Sequence, residues 1–127
     1  MPDQSSCPCG SGIAFTACCQ PYLLGKLAAP SAEALMRSRY VAYVLELEAY
    51  LLATWHADTH PESLHFEHEP RPKWLGLSIK RASGDERHAV VEFVARYKVN
   101  GRAFRMHETS RFERIEGRWF YRDGDLA

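Results

Sequence analysis

The chain has 127 residues, 25% charged and 46% apolar, which suits one globular domain with a small appendage. Lysine plus arginine equal aspartate plus glutamate at 16 each, so whole-chain charge gives no attraction to nucleic acid or acidic membranes. No apolar run reaches the roughly 18 residues of a membrane span, and the first residues lack the basic and apolar regions of a secretory signal. The cytosol, where thiols stay reduced, is the expected compartment.

All four cysteines of the chain fall within one 13-residue segment, CPCGSGIAFTACC. Cys7 and Cys9 are separated by one residue, and Cys18 and Cys19 are adjacent. Four thiols grouped in this way favour the closed tetrahedral ligand set of a structural zinc ion, which leaves no open position for catalysis. The two glycines after the first pair supply backbone freedom for the turn that brings this pair to the ion. Redox thiols, or a disulfide between the two pairs, remain as alternatives.

The pattern Cys-x-Cys-Gly-Ser-Gly, with eight residues between the inner cysteines and then Cys-Cys, resembles the SEC-C motif. That motif forms the zinc-binding tail of the SecA translocation ATPase and is also an appendage on other proteins. The last ligand in SecA is usually histidine, and Cys19 stands in that position here. The resemblance implies a SEC-C motif at 1–24 that contacts protein partners or ribosomes.

The segment QPYLLGKLAAP follows the cysteines and is predicted to be a linker because of its two prolines and its glycine. Ser31 is placed to cap a helix whose first turn contains Glu33. Residues 32–56 are predicted to form one helix, or two separated by a kink. The apolar stripe of this region consists of Met36, Tyr40, Tyr43, Val44, Leu47 and Leu51. The polar stretch His56–Pro72 is predicted to be a loop with one short helix around Glu62–Phe66.

From position 74 onward the hydrophobic period changes to two, which indicates strands. Leu75, Leu77 and Ile79 alternate with other residues in the first strand, and a loop, ASGDER, follows. Asn-Gly at 100–101 and Glu-Gly at 116–117 predict tight turns on either side of the third strand. The order predicts an α+β fold, with helices packed on one face of a curved, four-stranded antiparallel meander. A nuclear-transport-factor-2-like cone fits that order.

Segments from both halves of the chain together resemble the bacterial YchJ-like family: ALMRSRYVAYV, YLLATWH, WLGL, VEFVARY, HETSRF and GRWFYRDG. The resemblance extends from Cys7 to Gly124. That family combines an N-terminal SEC-C motif with a nuclear-transport-factor-2-like domain. It therefore implies such an α+β domain at 31–127, and the family name supplies no reaction.

Cone domains of this type often contain a pocket between helix and sheet, which is a default binding site. A small-molecule-binding or catalytic pocket is therefore the alternative to a docking function. The candidates to line it are Arg39, Tyr40, Tyr43, Trp55, Trp74, Glu92, Tyr97, His107, Arg111 and Trp119. Alternation along the third strand places His107 and Arg111 on one face and Glu108 on the other, so His107 and Glu108 form no direct dyad.

Structural roles are the simpler interpretation for several of these residues. Arg39 is expected to pair with Glu92 or Glu108 and so fix helix to sheet, and three tryptophans are more often core than ligand clamp. The chain has no nucleophile elbow, phosphate loop or dinucleotide fingerprint, so a non-enzymatic protein is favoured over an enzyme.

A second metal site and a nucleic-acid partner are disfavoured. The loop histidines His56, His60, His65 and His68 fit no definite ligand spacing. The arginine-rich second half of the chain carries compensating acidic residues, which indicates a solvated sheet surface. The sequence thus predicts a cytosolic protein that binds one structural Zn²⁺ and docks onto a protein or ribosome. It leaves a homodimer open.

Overall fold

The structure, a computed structural model, describes residues 6–64 and 71–126. Its elements are α1 (Gln20–Leu23), α2 (Ala32–Leu45), α3 (Glu48–Ala53), β1 (Lys73–Gly84), β2 (His88–Val99), β3 (Arg102–Ile115) and β4 (Arg118–Leu126). The strands form one antiparallel sheet in the order β1-β2-β3-β4, with α2 packed against it. The predicted α+β meander is therefore confirmed. Each helix in the described part of the chain is too short or too polar to cross a membrane.

Helix α2 begins where the sequence predicts. The Ala34 N–H donates a hydrogen bond to Ser31 Oγ at 3.1 Å, and Glu33 lies in the first turn, where the helix dipole favours a negative charge. The helix ends at Leu45 because Glu46 adopts left-handed backbone with φ of 56°. The chain restarts as α3, so the region contains two helices.

The hydrophobic core lies between α2 and the sheet. Its members from these elements include Leu35, Met36, Tyr40, Val41, Leu77, Val91, Phe93, Ala95 and Phe112. In the predicted apolar stripe, Met36, Tyr40 and Leu51 are buried. The other three residues of the stripe are half-buried.

Strand β1 departs from simple alternation at its start. The pairing with β2 shifts between Trp74 and Gly76, which is the irregularity of a β-bulge. Leu75 falls within this shift and is 49% exposed, whereas Leu77 is buried. The bulge interrupts the alternation of side chains between the two faces of the strand. The expectation that Leu75 and Leu77 share one face is therefore wrong.

The loop predicted at ASGDER is shorter than expected. Strand β1 continues to Gly84, because residues 82–84 pair with 89–91 of β2. Asp85 closes the remaining turn, since its Oδ1 accepts the N–H groups of Arg87 at 2.8 Å and His88 at 2.9 Å. The turns at 100–101 and 116–117 are confirmed, with positive φ at both residues of each.

Two connecting segments also differ from expectation. The predicted linker begins with α1, because the Cys19 carbonyl accepts the N–H groups of Tyr22 and Leu23 at 3.1 Å each and a proline occupies the first turn. Residues 62–64 of the predicted short helix are not helical. Residues 65–66 of that helix lie outside the described residues, as do His65 and His68.

Candidate functional site

Two tight turns bring the four cysteines together. In the first turn, the Gly10 N–H donates to the Cys7 carbonyl at 3.1 Å. Gly10 has φ of +82°, and a Cβ there would lie 3.1 Å from the Leu77 carbonyl oxygen of β1, so only glycine fits without strain. In the second turn, the Cys18 N–H donates to the Phe15 carbonyl at 3.1 Å. The first turn therefore rests directly on the sheet.

The cysteine sulfur atoms fit a tetrahedral metal ion. The four Sγ atoms lie within 4.8 Å of one another. Cys18 Sγ is 3.7 Å from Cys9 Sγ and 3.9 Å from Cys19 Sγ. Zinc–sulfur bonds of about 2.3 Å place the sulfurs of a tetrahedral site about 3.8 Å apart. The same distances exceed the roughly 2.05 Å of a disulfide, and all four cysteines are free.

The cysteine cluster is part of the hydrophobic core. Cys7 is 3% exposed, Cys9 0% and Cys19 1%, while Cys18 is half-buried. The three buried cysteines share one cluster with core residues of α2 and of the sheet. The segment was expected to be an appendage, but its cysteines pack against the large domain, so an ion bound by them would also stabilise the folded domain.

The thiols compete for protons. A hydrogen bond from the Cys19 thiol lowers the pKa of Cys9 to about 4, in opposition to its burial. The same hydrogen bond, together with burial, raises the pKa of Cys19. Burial raises the pKa of Cys7 to about 11. Of the three buried thiols, Cys9 therefore loses its proton most readily, and a bound cation would displace the protons that Cys7 and Cys19 retain.

Two neighbouring side chains support the cluster from outside. Arg37 Nη1 donates to the Cys9 carbonyl at 2.9 Å and lies 3.8 Å from Cys9 Sγ. Arg37 Nε donates to Glu33 Oε2 at 3.0 Å, which fixes the guanidinium. Ser11 Oγ is 3.2 Å from Cys18 Sγ. Sequence reasoning missed Arg37, because nothing in the pattern connects residues that are 28 positions apart.

A cavity of about 250 Å³ lies between α2 and the sheet. Its lining residues are Met36, Arg39, Tyr40, Tyr43, Trp74, Phe93, Ala95, Met106, Glu108, Ser110 and Tyr121. Of the predicted pocket candidates, the structure brings together Arg39, Tyr40, Tyr43 and Trp74. The interior is open, and aromatic and aliphatic side chains dominate its walls.

The other candidates lie elsewhere. Glu92, His107 and Arg111 point to the opposite face of the sheet, because they alternate with residues that face α2. There His107 Nε2 contacts Glu92 Oε2 at 2.7 Å, and Arg111 donates to Asp123 at 2.5 Å and to Asp125 at 2.6 Å. On that face Arg111 therefore forms ion pairs, and His107 and Glu92 form a polar pair with each other.

The three remaining candidates are aromatic residues with packing contacts. Tyr97 stacks on Phe104 with ring centroids 5.5 Å apart. Trp55 meets Tyr121 edge-on at 5.0 Å. Trp119 lines a groove that is separate from the cavity.

Arg39 is held by helix α3 and by aromatic rings. It forms no ion pair with Glu92 or Glu108, so the expected pairing is wrong. Its Nη1 donates to the Leu51 carbonyl at 2.8 Å and to Thr54 Oγ1 at 2.6 Å. These acceptors lie at the C-terminal end of α3, where the helix dipole is negative. Its guanidinium also lies 4.9 Å and 4.7 Å from the ring centres of Trp55 and Tyr121.

Seven cavity residues lie outside the candidate list, and three of them are polar: Glu108, Ser110 and Tyr121. Ser110 Oγ donates to Glu108 Oε2 at 2.5 Å, and the Tyr121 hydroxyl donates to the same oxygen at 3.4 Å. Alternation separated Glu108 from His107 and Arg111, and the structure shows that Glu108 is on the side that faces the helix. The sequence pattern did not identify Tyr121 as a cavity residue, because a register shift after Arg111 pairs it with Phe112. Burial and the nearby Glu108 charge raise the pKa of the Tyr121 hydroxyl, so it stays a donor.

A groove of about 350 Å³ runs beside the cysteine-bearing segment. It is lined by residues 22–25 and 27–29, by α3 and by Arg118–Phe120 of β4. Leu24 is 59% exposed and Leu27 is 61% exposed on its rim. The chain therefore presents large apolar side chains in the segment that follows the last cysteine.

The sequence is similar to known proteins over nearly its whole length. Residues 31–124 match the family described as YchJ, middle NTF2-like domain. A UPF0225 protein of Chromobacterium violaceum is 57% identical over 129 residues, which cover 98% of this chain and 95% of that protein. A UPF0225 protein of Ralstonia nicotianae is 52% identical over 134 residues, which cover 97% of this chain and 92% of that protein.

Two solved structures share the fold. The solution structure of a SEC-C motif containing protein from Rhodopseudomonas palustris has a TM-score of 0.84 at 34% identity and covers 95% of this chain and 98% of that one. The crystal structure of a SEC-C motif containing protein from Psychrobacter arcticus has a TM-score of 0.81 at 27% identity and covers 99% and 85%. The likeness therefore includes the cysteine-bearing segment as well as the large domain.

Proposed function

The chain belongs to the YchJ-like (UPF0225) family with its NTF2-like domain, and we propose that its four cysteines hold one structural Zn²⁺. The observation that carries this proposal is the sulfur spacing: Cys18 Sγ lies 3.7 Å from Cys9 Sγ and 3.9 Å from Cys19 Sγ. A closed set of four thiolates leaves no coordination position for substrate, so the ion stabilises structure. The ligands would be Cys7, Cys9, Cys18 and Cys19. Reduced cysteines at such a site fit a cytoplasmic location.

Metal analysis of the purified full-length protein tests the identity of the ion. We expect one zinc per chain, and Cys9→Ser is expected to lose it. Replacement of zinc by cobalt is expected to give the absorption spectrum of tetrahedral thiolate coordination. Iron in place of zinc, or a metal content unchanged in Cys9→Ser, would contradict the proposal, since four sulfur ligands also suit iron.

We further propose that the surface beside the zinc site docks a protein partner at the ribosome or the translocation machinery. The supporting observation is the groove with Leu24 and Leu27 exposed on its rim. Exposed apolar side chains clustered beside a groove are typical of interaction surfaces. The SEC-C resemblance supplies the class of partner, because such motifs contact proteins or ribosomes. The zinc ion would keep this segment fixed against the domain.

Co-sedimentation tests the docking role. The zinc-loaded chain is mixed with bacterial ribosomes, and separately with inverted membrane vesicles that carry the translocation channel. We expect binding to one of these, and loss of that binding in a Leu24→Ser, Leu27→Ser double variant. Leu75→Ser is the matched control, because Leu75 is similarly exposed but lies on β1. Absence of binding to both would refute docking and leave the zinc site intact.

A further inference from the structure

The cavity between α2 and the sheet has walls suited to an apolar ligand. Tyr40 and Tyr43 contact Trp74 with ring centroids 5.7 Å and 6.1 Å apart, and all three line the cavity. Met36 and Met106 add flexible thioether side chains that adapt to different shapes. The volume of about 250 Å³ is below the roughly 300–1,000 Å³ of pockets for drug-sized molecules. The ligand is therefore small.

The same cavity contains one buried cation and one carboxylate that do not pair with each other. Arg39 is 3% exposed, and its guanidinium donates to Leu51 and Thr54 at the end of α3 and lies against two aromatic rings. Glu108 Oε2 accepts hydrogen bonds from the hydroxyl groups of Ser110 and Tyr121. Its other oxygen, Oε1, accepts no hydrogen bond from any residue in 6–64 or 71–126. One acceptor in a cavity with mostly aromatic and aliphatic walls is thus left for a ligand donor.

The two charges together select against charged ligands. An anion would be attracted by Arg39 and repelled by Glu108, and a cation the reverse, so neither gains a net attraction that offsets the loss of its hydration in an apolar cavity. Screening by water is weak in a small apolar cavity, so both repulsions are stronger than at a surface. An uncharged molecule avoids both, and it still satisfies Glu108 Oε1 if it carries a donor.

We propose that this cavity binds a small, uncharged, largely apolar molecule with one O–H or N–H donor. The donor bonds to Glu108 Oε1, and the apolar part lies against the rings of Tyr40, Tyr43 and Trp74. An acceptor surrounded by apolar walls gives selectivity, because a molecule without the donor leaves the carboxylate oxygen unpaired. This site is separate from the zinc ligands and from the groove.

Four probes of nearly equal size test this selectivity: benzyl alcohol, toluene, benzoate and benzylammonium. Binding to the zinc-loaded full-length protein is followed by shifts of backbone amide signals. We expect benzyl alcohol to shift the amides of 93–95 and 106–110. Toluene, which lacks the donor, is expected to bind roughly tenfold more weakly. Benzoate and benzylammonium are expected to bind at least about tenfold more weakly than benzyl alcohol.

Two substitutions locate the binding. Glu108→Gln removes the negative charge, so benzoate is expected to bind more tightly than it does to the wild type, beside Arg39. Glu92→Gln is the matched control, since it removes the same charge from the opposite face of the sheet and should leave all four affinities unchanged. Ala95→Leu fills the cavity and should abolish benzyl alcohol binding.

The proposal has clear contrary results. It is overturned if benzyl alcohol produces no shifts up to its solubility limit. Equal binding of benzoate or benzylammonium by the wild type would also overturn it. Benzyl alcohol affinity that is unchanged in Ala95→Leu would place the molecule elsewhere. If Glu108→Gln fails to fold, the wild-type probe series together with Ala95→Leu still decides the question.

Discussion

Replacement of Arg37 by alanine tests how helix α2 supports the proposed zinc site. Arg37 donates a charged hydrogen bond to the buried Cys9 carbonyl at 2.9 Å and lies 3.8 Å from its sulfur. A hydrogen bond that involves a charged group contributes about 1.5–3 kcal/mol. Loss of an outer partner of a metal site lowers metal affinity by roughly 10–100-fold, which is about 1.4–2.8 kcal/mol. The two ranges agree, so we expect zinc affinity to fall by roughly 10–100-fold in Arg37→Ala.

Competition with a chelator measures this affinity on the full-length protein. Arg37→Lys keeps the charge but loses the fixed fork of donors, so an intermediate affinity is expected. Glu33→Ala removes the ion-pair partner that fixes the guanidinium, a contact of about 0.3–0.5 kcal/mol, so it should lower zinc affinity much less than Arg37→Ala does. Zinc affinity in Arg37→Ala equal to that of the wild type would refute the assigned role of the guanidinium.

Three further predictions concern local structure. Gly10→Ala should cost more stability than Gly12→Ala in chemical denaturation, because both have φ of +82° but only Gly10 lies against the backbone of β1. Each should lose at least about 1–2 kcal/mol, and equal losses would contradict the close approach. Ser31→Ala should cost about 1 kcal/mol in the same assay, and no loss would contradict the cap. Backbone N–H groups three and two residues later hold the pKa of Asp85 below 3.8. Its stabilisation is therefore present above pH 3.8 and lost as pH falls through the lowered pKa. Denaturation of Asp85→Ala should show a deficit at neutral pH that disappears in strong acid, and a deficit that persists there would contradict the assignment.

The regular part of the fold was predictable because its signals are local. Ser31 and the two Gly-containing turns act within a few residues, and alternation identified β2 and β3. The bulge near Leu75 was not predictable, because register depends on the partner strand. The left-handed Glu46 is a similar case, since the sequence pattern continues through it while the backbone does not.

The cysteine cluster and the cavity were predictable from the sequence to different degrees. The four clustered cysteines are encoded in one short segment, whereas their support by Arg37 depends on tertiary packing. The cavity combines residues from both helical and strand regions, so alternation gave the face of Glu108 but not its role. Arg39 was expected to pair with a carboxylate, and the C-terminal end of α3 supplies its acceptors instead. Such a partner is visible only once the helices are placed.

The most direct test of the zinc site is zinc content with thiol titration before and after chelation. Four buried or half-buried sulfurs around one ion should resist a thiol reagent while the metal is bound. We expect one zinc per chain and four thiols that react only after chelation. No metal, with four thiols that react at once in the native protein, would contradict a structural zinc site.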